Sequence, residues 1–163
     1  HAMRQLVPPE KLEAALAIYR PYWDRTMLDD VVLLDGAREL IGELTARGVT
    51  CAVFTNKHAT SARRLCEHLG LTPHLRGVFG ATDTPWIKPQ PEFTAHVLAA
   101  LDAEAATTLL VGDSPFDIAT AREGQLAACW AVTTGTHTRD ELQRNGADRV
   151  FADLDAIRRE LAE

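Results

Sequence analysis

Thr108-Leu109-Leu110-Val111-Gly112-Asp113-Ser114-Pro115-Phe116-Asp117 is the stretch that decides the fold. Thr108 to Val111 is a run too short for a helix and suited to a strand buried on both faces. Gly112 ends the run, and Ser114-Pro115 has the chemistry of a helix start, a hydroxyl to cap and a proline for the first turn. A strand that feeds a helix in this way is half of a parallel crossover unit. Working outward, the same alternation runs from about residue 36 to the end. Helices are expected over Ala37 to Arg47, Ala59 to Leu69 and Pro91 to Leu101, and after Ser114, Thr138 and Asp153. Strands are expected over Cys51 to Phe54, near Val78-Phe79, and over Thr108 to Val111, Ala127 to Val132 and Arg149 to Phe151. Four or five parallel strands covered by helices make an α/β fold. Upstream, Pro9 to about Met27 sets Leu12, Leu16, Tyr19 and Trp23 on one helical face, and Pro21 is expected to kink or interrupt that helix.

Composition excludes several function classes. The chain has 163 residues, with 17 Lys and Arg against 23 Asp and Glu, a net charge of −6, and 46% hydrophobic residues. It reads as a soluble, globular chain of ordinary domain size. An acidic balance without a basic run is unsuited to nucleic acid. No apolar run approaches the 18 or more residues of a membrane span, and no signal-peptide pattern opens the sequence. Cys51, Cys66 and Cys129 are widely spaced and form no CxxC, which argues against a disulfide framework and against zinc. A reducing, cytoplasmic setting is expected. His1, Ala2 and Met3 read as expression-tag residue.

In an open parallel sheet, ligands bind outside the carboxyl ends of the strands. That rim should gather Thr55-Asn56-Lys57, Lys88-Pro89, Asp113 and Asp117. A phosphate dianion needs donors, which the Thr55 hydroxyl, neighbouring backbone amides and the Lys88 ammonium can supply. Asp113 suits a hard cation such as magnesium, with Asp117 supporting it. Each residue also has a plainer role open to it. Thr55 or Asn56 could cap the helix that follows, and Asp117 stands at the third position of a helix begun by Ser114. His58, His68, His74, His96 and His137 show no metal-ligand spacing, and buried structural thiols are the default for the cysteines. Trp86 is either a wall of the substrate entrance or a packed loop residue.

These residues resemble the haloacid dehalogenase superfamily, most closely its phosphoglycolate phosphatase-like branch. Thr55-Asn56-Lys57 is similar to the family's second motif, Lys88-Pro89-Gln90-Pro91 to its third, and Gly112-Asp113-Ser114-Pro115-Phe116-Asp117 to its fourth. The resemblance implies a Rossmann-like three-layer core, a parallel sheet with helices on both faces, over residues 31–163. Residues 1–30 then hold the tag residue and one remnant helix of a cap. It further implies magnesium-dependent hydrolysis of a small phosphorylated metabolite. Thr55, Asn56 through its amide, and Lys88 would bind phosphate, Lys88 and Asp117 would serve catalysis, and Asp113 would hold the metal. A receiver-type phosphoacceptor domain uses a similar Asp, Thr and Lys set but also needs an acid pair and a phosphoacceptor, which are not found at these strand ends.

One departure limits the resemblance. The family's nucleophile is an aspartate in a DxD motif on the central strand, and this sequence has no DxD ahead of the helix at Ala37; its one triplet of that form, Asp153-Leu154-Asp155, stands at the start of the closing helix. Val31-Val32-Leu33-Leu34-Asp35-Gly36 fails in either register, since it puts Leu33 or Ala37 where a carboxylate is required. Asp35-Gly36 resembles instead the Pro-Gly segment that returns the chain from cap to core. The expectation is a protein inactive or nearly so as given, the alternative being a non-catalytic pseudoenzyme that binds a phosphate ligand or a protein partner. Four solutions are open for the central strand: Val31 to Leu34 fills it with Asp35 as surrogate nucleophile, its neighbours pair directly, another chain supplies it, or the sequence is part of a longer protein. The aromatic face of Tyr19, Tyr22 and Trp23 suggests a homodimer through the N-terminal helix.

Overall fold

The computed structural model describes residues 6–162, so the tag-like His1 to Met3 lie outside the described residues. The chain divides into two compact units, residues 1–32 and 33–163. In the first, a 3-10 turn at Pro9–Lys11 leads into helix α1, Leu12–Thr26, which runs through Pro21 without ending there. Proline removes one backbone donor from the helix, and the Leu-, Glu- and Ala-rich turns that precede it, Leu12 to Ala17, favour the helix that continues through it. Tyr19 and Trp23, one turn apart, stack with ring centroids 6.1 Å apart, while Ile18, Tyr19 and Tyr22 are exposed.

The second unit alternates helix and strand as the periodicity implies. In order it contains α2 (Ala37–Ala46), β1 (Ala52–Thr55), α3 (Ala59–His68), β2 (Gly77–Gly80), α4 (Pro91–Leu101) and β3 (Leu109–Gly112). It continues with α5 (Pro115–Glu123), β4 (Ala128–Val132), α6 (Arg139–Arg144), β5 (Arg149–Phe151) and α7 (Leu154–Glu160). Two helix starts are closed reciprocally by capping boxes, Ser114 with Asp117 and Thr138 with Glu141, and Asp153 caps α7 through Ala156 N at 2.7 Å. Each such cap contributes roughly 1 kcal/mol.

The strands form two ladders rather than one. β1 pairs with β2, and β3-β4-β5 form a three-stranded sheet, all parallel. Both faces of the larger sheet are covered. Ile118, Ala121, Cys129, Ala131 and Leu142 pack α5 and α6 on one side, and Leu40, Val132, Phe151 and Ile157 pack α2 and α7 on the other. Burial, then the carboxylates of Asp117 and Asp148, push the Cys129 thiol up to about 12, so it is an inert core group. Cys66 is also buried, whereas Cys51 stands one residue before β1 and is only half-buried. Among the described residues no helix is long and apolar enough to cross a membrane.

The division into two ladders settles two of the expectations for the central strand. Val31 to Leu34 adopts no strand, with Val32 and Leu34 exposed, and β1 and β3 do not pair with each other. Four apolar residues ending in Asp35-Gly36 enter a turn instead, with Gly36 in the left-handed region at φ 78° and Ala37 N bonding back to Leu34 O. Backbone direction identifies the free edges. Cys51 O accepts from Arg76 N, and Lys57 O from Ala81 N, so the odd residues of β1 face β2 while Ala52 and Phe54 face away. Thr108 O accepts from Ala127 N, and Cys129 O, facing β5, accepts from Asp148 N. Leu110 and Gly112 therefore face β4, and Leu109 and Val111 face the free side. Amide exchange checks this assignment: Val53, Thr55, Leu110 and Gly112 are expected to exchange at least about a hundredfold more slowly than Ala52, Leu109 and Val111. Equal protection at neighbouring positions would contradict it.

Candidate phosphate site at the carboxyl ends of the strands

The site is organised around Lys88, which the loop after β2 delivers to the end of β1. Its side chain is 9% exposed, as is that of its partner Asp117. The ammonium donates to Asp117 Oδ1 at 2.6 Å and to Phe54 O at 3.1 Å, and lies 5.2 Å from the Phe54 ring centroid. Phe54 O is a free-edge carbonyl, so Lys88 occupies the position of a ladder donor on the open side of β1. Asp117 carries the link across to the other sheet. Its Oδ2 accepts from Asp113 N at 3.2 Å, Ser114 N at 3.1 Å and Ser114 Oγ at 2.6 Å. One lysine and one aspartate thus join the ends of β1 and β3, which no backbone bond connects.

The electrostatics follow from this geometry. Burial pushes the Asp117 carboxyl up. The Lys88 charge, its hydrogen bond, and the donors of Ser114 and Asp113 outweigh burial and hold it below its ordinary value. Asp117 therefore serves two purposes at once, capping α5 and anchoring Lys88, and all its strong acceptor positions face protein donors.

Asp113 is placed differently. It is exposed, and among the described residues its carboxylate takes no hydrogen bond or ion pair. It lines a cavity of about 290 Å³ with Leu34, Val111, Thr134 and Gly135. A Cβ at Gly135 would stand 1.9 Å from Asp113 Oδ2, so a side chain there would force the Asp113 carboxylate to turn aside. Gly112 is required more strictly, since a Cβ would stand 2.3 Å from Cγ of the buried, hydrogen-bonded Asp117. A single open carboxylate beside solvent suits magnesium, which keeps several waters and uses one or two carboxylates. No cluster of three or more acidic, His or Cys side chains able to hold a metal occurs among the described residues.

Thr55 ends β1, and its Oγ1 accepts from Lys57 N at 3.1 Å. Neither Thr55 nor Asn56 caps α3: Thr82 Oγ1 from the next loop accepts from Ala59 N at 3.1 Å, and the N-cap residue His58 makes no side-chain cap bond. Asn56 instead bonds the main chain of Lys88, a contact for which spacing alone carries no signal. Trp86 is half-buried and tied to Thr84, whose Oγ1 accepts from Trp86 N at 3.2 Å. Asp35 does not line the Asp113 cavity. It opens on a second one, of about 490 Å³, with Arg38, Glu39, Asp155 and Arg158.

Replacing Lys88 by Met leaves Asp117 buried without its cation, and a loss of about 3 to 5 kcal/mol is expected at pH 7. In the native chain a depressed carboxyl contributes stability above its unfolded value near 3.8 and loses it as pH falls through the folded value. In Lys88→Met the same carboxyl is raised, so the deficit is expected to shrink as pH falls from 7 toward 4. Urea unfolding at several pH values checks this, and a deficit constant with pH would contradict the pairing.

Comparison with known proteins identifies the family and the fold. The model of the haloacid dehalogenase-like hydrolase family matches residues 1–131. The chain is 34% identical over 145 residues to a phosphoglycolate phosphatase of Rhodospirillum rubrum, covering 89% of this chain and 59% of that protein. It is 31% identical over 128 residues to a phosphoglycolate phosphatase of Mesorhizobium japonicum, covering 78% and 56%. The chain thus spans somewhat under three-fifths of these relatives' length. In fold it is similar to the crystal structure of a predicted phosphoglycolate phosphatase from Haemophilus somnus, with a TM-score of 0.85 at 22% identity, over 96% of this chain and 69% of that one. With a family match over residues 1–131 and a relative 34% identical over 89% of its length, the chain belongs to the haloacid dehalogenase-like hydrolases.

Proposed function

We propose that this chain carries the phosphate- and magnesium-binding side of a phosphatase site for a small phosphate monoester of the phosphoglycolate type. The observation that carries the proposal is the Lys88 ammonium, fixed on the open side of β1 between Phe54 O and Asp117. In this reading the Thr55 hydroxyl and the Asn56 backbone amide donate to phosphate oxygens. Lys88 offsets the charge of the phosphate, and Asp117 keeps the lysine protonated and aimed. Magnesium bound through Asp113 and water would supply further charge neutralisation at the phosphate.

The described residues bring no carboxylate into the Lys88 site as nucleophile. Leu33 stands at one register position, Val31 to Leu34 lie outside both sheets, and Asp35 opens on the other cavity. The chain as given is therefore proposed to bind phosphate with little or no hydrolysis, since a covalent phosphoaspartate needs an aspartate at phosphorus. The same reading takes the protein as cytoplasmic, in keeping with three free thiols. It takes the aromatic face of α1 as a contact between copies, in keeping with the exposure of Ile18, Tyr19 and Tyr22.

Titration with inorganic phosphate with and without Mg²⁺, alongside hydrolysis of an aryl phosphate and of phosphoglycolate, tests the reading. Magnesium-dependent phosphate binding is expected, weakened about tenfold by Thr55→Ala and made magnesium-independent by Asp113→Asn, with no turnover above background. Absence of phosphate binding at millimolar concentration would overturn the site. Magnesium-dependent turnover abolished by Asp35→Asn would overturn the missing nucleophile and give that role to Asp35.

A further inference from the structure

The Asn56 side chain makes a paired contact with one residue 32 positions later. Its Nδ2 donates to Lys88 O at 3.0 Å, and Lys88 N donates to its Oδ1 at 2.8 Å. Both polar groups of the Lys88 main chain are thereby satisfied by one side-chain amide. Only an amide side chain offers a donor and an acceptor side by side in one plane. The usual task of an asparagine before a helix, capping, is performed by Thr82 instead.

The loop that carries Lys88 is held elsewhere by separate groups. Asp83 accepts from Gly80 N at 2.8 Å and from Arg63 at 2.6 Å near the start of the loop, and Ile87 N donates to Gln90 Oε1 at 2.9 Å near its end. None of these bonds fixes Lys88 relative to β1. Asn56 does, because it follows directly on the last residue of that strand.

We infer that Asn56 is a positioning residue that registers Lys88 to the end of β1 through its side-chain amide. This rests on the reading of Lys88 as the cation of a phosphate site. Its consequence is a coupling between two ligand groups. The backbone amide of Asn56 is the one proposed to bind phosphate, and its side chain sets the lysine, so amide and ammonium move as one body. Asp117 and Phe54 O hold only the tip of the lysine. Without the clamp, the main chain at Lys88 has no bond of its own to the end of β1, and four side-chain torsions separate it from that tip.

The test reads the lysine itself. The buried Lys88 ammonium is to be observed by ¹H–¹⁵N NMR, assigned through Lys88→Arg, in the native chain, Asn56→Ala and Asn56→Asp. In Asn56→Ala the Lys88 ammonium signal is expected to broaden or vanish while the methyl spectrum of the core is retained. Affinity for inorganic phosphate with Mg²⁺ is expected to fall about tenfold or more, the usual scale for losing a residue that orients a ligand group. Asn56→Asp keeps the acceptor for Lys88 N and loses the donor to Lys88 O, so its signal is expected to be intermediate. An unchanged Lys88 signal in Asn56→Ala overturns the inference, and if phosphate affinity falls nonetheless, Asn56 acts on phosphate directly. Should Asn56→Ala fail to fold, an unchanged signal in Asn56→Asp overturns it. Loss of the signal in a chain whose native form binds no phosphate supports the clamp and overturns only the phosphate reading.

Discussion

A lysine and an aspartate, each with a side chain about nine-tenths buried, hold together the ends of two strands that do not pair. Burying two charges is costly, and such a pair survives only where geometry and further hydrogen bonds satisfy both partners. Here Phe54 O takes a second lysine proton, and Ser114 and Asp113 supply the remaining donors to the carboxylate. The local structure is subordinate to this arrangement. Gly112 has no side chain because Asp117 lies where a Cβ would be, and α5 begins where it does because Asp117 closes its own capping box.

The same arrangement separates the two aspartates chemically. Asp117 is consumed by protein donors and is held ionised, while Asp113, four residues earlier and exposed, is open to solvent and to a cation. A fourth motif with two acids therefore serves two purposes: one acid holds Lys88 and the other lines an open cavity. Gly135 keeps the second free by leaving space beside it.

Much of this was legible from sequence. Every α-helix and strand from residue 37 onward was expected within one or two residues of where it forms, because apolar runs bounded by Gly, Pro, Ser or Thr leave little freedom, whereas the short 3-10 turns at Thr72–His74 and Ala105–Thr107 were not expected. The family and the strand ends that gather the site followed from Thr55-Asn56-Lys57, Lys88-Pro89 and Asp113. Val31 to Leu34 stayed open for a physical reason: an apolar tetrapeptide can read as a strand, but strand formation needs a partner edge in register, which local sequence does not specify. The split of the sheet was one of the outcomes left open, and the sequence could not choose among them for the same reason. The Asn56 clamp was missed because a side chain bonded to a main chain 32 residues away leaves no periodicity. Its one available signal was that Thr82 could serve as the cap of α3 in its place.

The most direct test of the central claim is the titration of the Asp117 carboxyl carbon by ¹³C NMR. If Lys88 and the Ser114 and Asp113 donors outweigh burial, the carboxyl is expected to titrate below 3.8, the ordinary value for an aspartate. A transition at or above that value would mean that burial dominates, that the pair does not hold as described, and that Lys88 is not fixed at the end of β1 by Asp117.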